Sequence, residues 1–147
     1  MTTGLEQIQA IFKGDLPNPP IAELIGFAGV EANEGRVVFA GTPGRRHENV
    51  LGVVHGGFAA TLLDSAMGCA VQTILPSGAW YTTLELKVNF TRPITEDTGR
   101  VRCEGTVVHA GTRVATAEGR LVSEETGKLL AHGTTTCLIG SGNGTAS

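Results

Sequence analysis

The sequence predicts an α+β domain in which about six antiparallel strands meet one long buried helix. Three observations carry this. Gly56 to Ile74 is almost entirely apolar or small over about five helical turns. After it the apolar period switches from helical to 2, and strand-like segments follow one another across short turns. Glycine, at 21 of 147 residues, is about twice its usual frequency, which implies tight turns and close backbone approaches. One helix cannot cover both faces of six strands. The sheet must therefore curl around the helix or lay its other face on a partner.

The elements follow in order. Leu5 to Lys13 spaces Leu5, Ile8, Ile11 and Phe12 as one helical face and stops at Gly14. Pro17, Pro19 and Pro20 make an extended link into a short helical turn that ends near Gly26. Phe27 to Asn33 and Arg36 to Gly41 read as two strands joined at Glu34-Gly35. Thr42 to Gly52 is a polar loop of a length often given to function. Beyond the long helix, Tyr81 to Thr91 alternates Leu84, Leu86, Val88 and Phe90 with Thr83, Glu85, Lys87 and Asn89. Gly99 to Ala110, Arg113 to Ser123 and Leu129 to Ile139 complete a four-strand meander. The division is residues 1–20 as N-terminal helix and linker, 21–139 as the domain, and 140–147 as a flexible tail.

Composition excludes several functions. Fourteen acids against eleven bases give a charge of −3, which is no footprint for nucleic-acid binding. No signal peptide is visible at the N-terminus, and Ser65 to Leu84 is interrupted by Gln72, Pro76 and Gly78, so no membrane span is expected. Cys69, Cys103 and Cys137 are too scattered for a disulfide framework or a metal site. The expected compartment is the cytoplasm.

Chemistry concentrates in the long helix. Asp64 is its one ionisable residue, and a buried carboxylate must be satisfied, protonated or functional. A mid-helix Asp can equally fill a packing gap, and a Gly-Gly pair can be a plain loop-to-helix turn. Here they coincide. Gly57 lies seven residues before Asp64, on the same helix face. Gly56 and Gly57 open the helix, where N–H groups lack intrahelical partners and the dipole is positive. An N–H without a neighbouring side chain suits a carbonyl oxygen that becomes anionic during acyl transfer.

Asn49-Val50-Leu51-Gly52-Val53-Val54-His55-Gly56-Gly57, followed by Leu62, Leu63 and Asp64, resembles the signature of hotdog-fold acyl-CoA thioesterases. Similar families are the phenylacetate-degradation type, the vertebrate acyl-CoA thioesterases of like length and, more distantly, the 4-hydroxybenzoyl-CoA thioesterases. The similarity continues through Leu84 to Pro93 and Gly127 to Gly133, covering roughly Ile21 to Ile139. The resemblance implies a helix wrapped by a curved sheet, a homodimer with active sites shared between subunits, and pairing of dimers into tetramers. It implies hydrolysis of an aryl- or medium-chain acyl-CoA, with no cofactor, CoA being part of the substrate. The Gly57 N–H would polarise the thioester carbonyl and Asn49 would orient that carbonyl or the water. Asp64 of the other subunit would be general base or nucleophile. Thr83, or its neighbour Thr82, would help hold the water.

Around this centre the resemblance places His55 and Gly56 beside the substrate, with His55 fixing the loop by hydrogen bonding. Gly111, Thr112 and Arg113, together with Arg92, fall where relatives hold the nucleotide end of CoA. Arg45, Arg46 and His47 read as a solvated loop or as further phosphate contacts. Phe58, Leu62 and residues near Trp80 are expected to wall the acyl pocket. His109 and His132 have no metal-ligand spacing and read as structural or surface residues. Two other functions share this fold: an acyl-CoA-binding sensor, which generally lacks the carboxylate, and an acyl-thioester hydratase or dehydratase, whose loop signatures are missing here.

Overall fold

The computed structural model describes residues 2–142. Two short helices, α1 (Gly4–Lys13) and α2 (Pro20–Ile25), precede the hairpin β1 (Phe27–Asn33) and β2 (Arg36–Gly41). The long helix α3 (Gly56–Thr73) follows, then β3 (Ala79–Phe90), β4 (Val101–Ala110), β5 (Val114–Ser123) and β6 (Leu129–Ser141). All six strands form one antiparallel sheet that touches α3 through every strand, which is the hotdog arrangement. The core sits between them: Leu62, Leu63, Ala66, Met67, Ala70 and Val71 of α3 against Val37, Val101, Cys103, Ala117, Leu121 and Cys137 of the sheet.

Capping explains the helix ends. Thr3 and Glu6 form a reciprocal capping box at the start of α1, and left-handed Gly14 ends it. α1 is part of the body of the domain: Gly4 and Ile8 are buried, and Gly4 N–H donates to the Leu75 carbonyl beyond the end of α3. The β1–β2 turn is tied to the same end of α3, since Gly35 N–H donates to the Thr73 hydroxyl at 2.8 Å.

The strand order corrects the expected four-strand meander. It is β1-β2-β4-β5-β6-β3, so only β4, β5 and β6 follow one another in space. β2 takes the free edge of β4, pairing Arg36 with Thr106 and Gly41 with Val101. β3 is left to pair with β6 and becomes the far edge of the sheet. The β3–β4 link carries the chain back, pinned by buried Ile94, whose carbonyl accepts from Val54 N–H.

β3 also departs from simple alternation. Thr83 pairs with Cys137 but Glu85 pairs with Thr136, so Leu84 is a bulge residue. The bulge re-phases the strand. Thr83 lies opposite buried Cys137, and Leu86 and Val88 lie opposite buried Thr135 and Gly133, so all three share the face toward α3. Thr82, one residue before, belongs to the outer face. β6 continues past the expected boundary at Ile139: Gly140 and Ser141 pair with Trp80 and Ala79. Asn143 to Ser147 of the predicted tail lie outside the described residues.

Glycine has a second address, in the sheet. Gly105, Gly119 and Gly133 are cross-strand partners on β4, β5 and β6, one continuous row across three strands. A Cβ on Gly105 would come 2.3 Å from the Ala66 carbonyl of α3, and one on Gly119 would come 3.0 Å from Leu63 and Met67. At Gly105 the helix backbone therefore rests directly on the sheet backbone, and at Gly119 the side chains of α3 do. Replacing Gly105 by Ala should destabilise the protein by about 1–3 kcal/mol through overpacking. Gly44→Ala, where a Cβ meets open space, should change the thermal midpoint little; equal midpoints for the two variants would contradict the row's role.

Candidate active site

α3 is not buried all round, as its composition suggested. Gly57, Thr61, Asp64, Ser65 and Gln72 form a half-buried stripe along it, while Ala59, Ala66, Gly68, Ala70 and Thr73 are buried. Asp64 is thus at a boundary rather than in the core. The Thr83 hydroxyl donates to Asp64 Oδ1 at 3.0 Å. This contact assigns Thr83, not Thr82, to the carboxylate.

The neighbours of Asp64 come from the inner face of β3 and β6. Tyr81, two residues before Thr83 and on the same face, lays its hydroxyl across Gly68, one turn beyond Asp64. A Cβ on Gly68 would come 2.5 Å from that oxygen. Burial pushes the Tyr81 phenol well above its ordinary value, with the Cys69 and Asp64 charges adding to the effect. Burial, with a smaller contribution from nearby Asp64, likewise pushes the Cys69 thiol up to about 12. Cys137 is raised by burial, against the opposing hydrogen bonds of Thr135 and Thr83. Tyr81 and Cys137 were not anticipated, although the i, i+2 alternation through Thr83 points to Tyr81.

At the other end of the stripe is the start of α3. His55 is the N-cap, and its Nδ1 accepts from the Gly57 N–H at 2.7 Å. The Gly57 N–H, expected to be free, is therefore occupied by its own chain. Gly57 and Asp64 are seven residues apart on one rigid helix, about 10 Å along its axis. They cannot act on the same atom from one subunit.

The loop before α3 is built by backbone pairing. Glu48 and Val54 form a bridge, and His55 N–H donates to the His47 carbonyl. Asn49 is turned into this loop: its Oδ1 accepts from Leu51 N–H at 2.9 Å and Val53 N–H at 3.4 Å. No hydrogen bond among the described residues joins Asn49 to Gly57 or Asp64. The loop tip leaves Val50 and Leu51 exposed. His47 is structural, its Nδ1 accepting from Gly44 N–H and its Nε2 donating to the Ile25 carbonyl at 2.6 Å, with the ring against Phe58. Arg46 packs its guanidinium over Gly26 at the end of α2.

Two clefts flank the Gly56-Gly57 pair. One, of about 370 Å³, is lined by Val54, His55, Gly56, Phe90, Arg92 and Ile94 among others. The second, of about 400 Å³, is lined by Ile25, Arg46, Glu48, His55, Gly57 and Phe58 among others. Arg92 and Phe58 are thus placed beside the helix start. Leu62 is fully buried in the core, and Trp80 lies on the outer face over Gly140, so neither walls these clefts. Gly111, Thr112 and Arg113 line a separate cavity of about 480 Å³ with Ile74, Leu75 and Gly140. That cavity is at the C-terminal end of α3, a helix length of about 27 Å from Gly57. Within one chain these residues do not join the site. His109 is exposed on β4, and His132 pairs with Arg120 across β6 and β5.

A curved sheet wrapped on one helix, with a Thr-bonded carboxylate mid-helix and a glycine pair at its start, defines a hotdog protein. The family model of the thioesterase superfamily matches residues 51–130. A mutant of the phenylacetic acid degradation protein PaaI of Thermus thermophilus is 32% identical with a TM-score of 0.73, covering 82% of this chain and 98% of its own. A thioesterase family protein of Silicibacter pomeroyi is 25% identical with a TM-score of 0.81, covering 92% and 99%. An esterase-like protein of Halobacterium salinarum is 40% identical over 74 residues, 49% of this chain and 47% of its own length. The chain belongs to the thioesterase superfamily, in its PaaI-like, hotdog-fold branch.

The thiol environments give a direct check. All three cysteines are free, and burial raises the pKa of each. A raised pKa leaves less thiolate at a given pH, and thiolate is the reactive form. At about pH 8 the native protein should resist an aromatic disulfide reagent and release all three equivalents only on denaturation. Rapid reaction of a native thiol would contradict these surroundings.

Proposed function

We propose that the protein hydrolyses aryl- or medium-chain acyl-CoA thioesters in a homodimer, each active site drawing on both subunits. The observation that carries this is the Thr83 hydroxyl on Asp64 Oδ1, placed on the same half-buried helix stripe as Gly57 but about 10 Å from it. Each subunit supplies half of a site: Gly57 with Asn49 and His55 at one place, Asp64 with Thr83 at another. An antiparallel partner helix would bring the two halves together.

The exposed apolar residues support pairing. Leu84, Leu86 and Phe90 on the edge strand β3 are 59%, 37% and 57% exposed. An uncovered apolar sheet edge is an association surface. In the shared site the Gly57 N–H receives the thioester oxygen as charge develops on it. Asp64 takes the proton of a water held by Thr83 as that water adds to the carbonyl carbon and the C–S bond breaks to release CoA, or Asp64 attacks that carbon itself, displacing CoA to leave an anhydride that water hydrolyses. Arg92 stands at the mouth of the cleft beside Gly56 to meet a CoA phosphate. Gly111, Thr112 and Arg113 can serve the nucleotide only if another subunit brings them near. The sensor reading finds no support in a chain that keeps its carboxylate with a hydroxyl bonded to it.

Free-thiol release from a panel of acyl-CoAs measures the activity and the acyl preference together. Asp64→Ala should lower turnover by about 100-fold or more while the dimer persists in sedimentation. Thr83→Val should cost about tenfold, the worth of one hydrogen bond to a charged group. Undiminished turnover in Asp64→Ala would overturn the assignment.

Site sharing has its own test. Gly57→Pro removes the N–H at a position in the first helical turn, where proline is tolerated. Heterodimers of Asp64→Ala with Gly57→Pro chains contain one intact site if sites are shared. Activity restored on co-expression supports sharing; two inactive homodimers giving an inactive mixture would refute it.

A further inference from the structure

We propose that His55 is a displaceable cap that competes with the thioester oxygen for the Gly57 N–H, and so acts as a positioning residue that keeps the oxyanion site closed until substrate enters. The inference rests on the acyl-thioester reading above and adds a residue and a step to it.

Three observations carry the proposal. His55 Nδ1 accepts from the Gly57 N–H at 2.7 Å, the N–H assigned to the thioester oxygen. The imidazole fills the space directly over Gly57: a Cβ there would come 2.8 Å from Nδ1 and 3.2 Å from Cε1. Nothing else can occupy that position until the ring leaves. Finally, His55 is exposed, and it lines both clefts beside the glycine pair. The ring therefore has somewhere to go.

The physical chemistry is an exchange of acceptors. A free helix N–H at this position would be an orphan donor, and the N-cap satisfies it. An arriving carbonyl oxygen replaces Nδ1 without leaving the donor unpaired at the end. An imidazole nitrogen competes well against a neutral carbonyl. It competes poorly against an oxygen acquiring negative charge, because hydrogen bonds to ionised acceptors are roughly twice as strong. The cap thus weakens ground-state binding and yields as the reaction proceeds.

Nδ1 accepts only while it carries no proton, so the capping ring holds its proton on Nε2. Arg92 from the β3–β4 link faces the ring on one side, and Arg46, His47 and Glu48 from the loop before α3 face it on the other.

The test is binding of an acyl-CoA analogue in which CH2 replaces the thioester sulfur, which keeps the carbonyl and cannot be hydrolysed. Titration calorimetry would compare wild type, His55→Ala and His55→Asn, with CoA, which lacks the carbonyl, as control ligand. At about pH 8, His55→Ala should bind the analogue about fivefold more tightly than wild type, the equivalent of one N-cap at about 1 kcal/mol. Its affinity for CoA should not change. His55→Asn can still cap and should restore wild-type affinity for the analogue. A merely structural role for His55 predicts weaker binding by His55→Ala. That result, or binding equal to wild type, would overturn the gate, and wild-type thioester turnover measured alongside would show the acyl-thioester reading standing without it. No binding of the analogue by any of the three proteins, with no turnover, would overturn that reading and the gate together.

Discussion

The close seating of α3 on β4 and β5 at Gly105 and Gly119 is the constraint on which the rest of the structure depends. Gly105, Gly119 and Gly133 stand side by side across β4, β5 and β6, and Ala66 presents its carbonyl to the first of them. A six-stranded sheet can wrap one helix only if the two backbones come closer than side chains normally permit. With α3 seated there, Leu62, Leu63 and Met67 are fully buried, and the helix has no freedom to rotate about its axis. Its remaining face is then fixed as well.

That remaining face carries the residues of the candidate site. Because α3 cannot rotate, Asp64 is held against β3 where Thr83 can reach it, and Gly57 is held where the loop before the helix ends. A helix is a ruler with a rise of about 1.5 Å per residue, so the two groups keep a separation no side-chain motion can close. The same rigidity that stabilises the protomer keeps the two groups apart within it. The exposed edge of β3 and the exposed tip at Val50 and Leu51 are where the sheet and loop have no covering of their own.

Much of the fold is legible in local pattern. The β1–β2 hairpin follows from two strand-like runs around Glu34-Gly35, and α3 begins at Gly56 as its composition change indicates. What the pattern misses has one cause. Leu84 looks like any other apolar residue in an alternating strand, yet as a bulge it moves Thr83 onto the face of Leu86 and Val88. The meander fails for a related reason: short links favour neighbours, but β2 offers β4 an edge and β3 is displaced to β6. The glycine row is invisible for the same cause, since its members are far apart in sequence and meet only through register. Within the site, Asp64 and Gly57 stand out as unusual residues in an apolar helix. That Asn49 Oδ1 accepts from its own loop amides is a contact the motif does not reveal.

The sequence by itself determined which segments are helix and strand, where glycine and proline end them, and that one carboxylate stands alone in the central helix. These depend on periodicity and capping, which act over a few residues. Tertiary structure alone decided that Thr83 rather than Thr82 meets Asp64, that His55 already occupies the Gly57 N–H, and that Gly111 to Arg113 lie at the opposite end of α3. Each of these turns on strand register, a bulge or a side-chain direction. Such features are set by how the sheet closes on the helix, a balance of packing between residues that no local pattern connects.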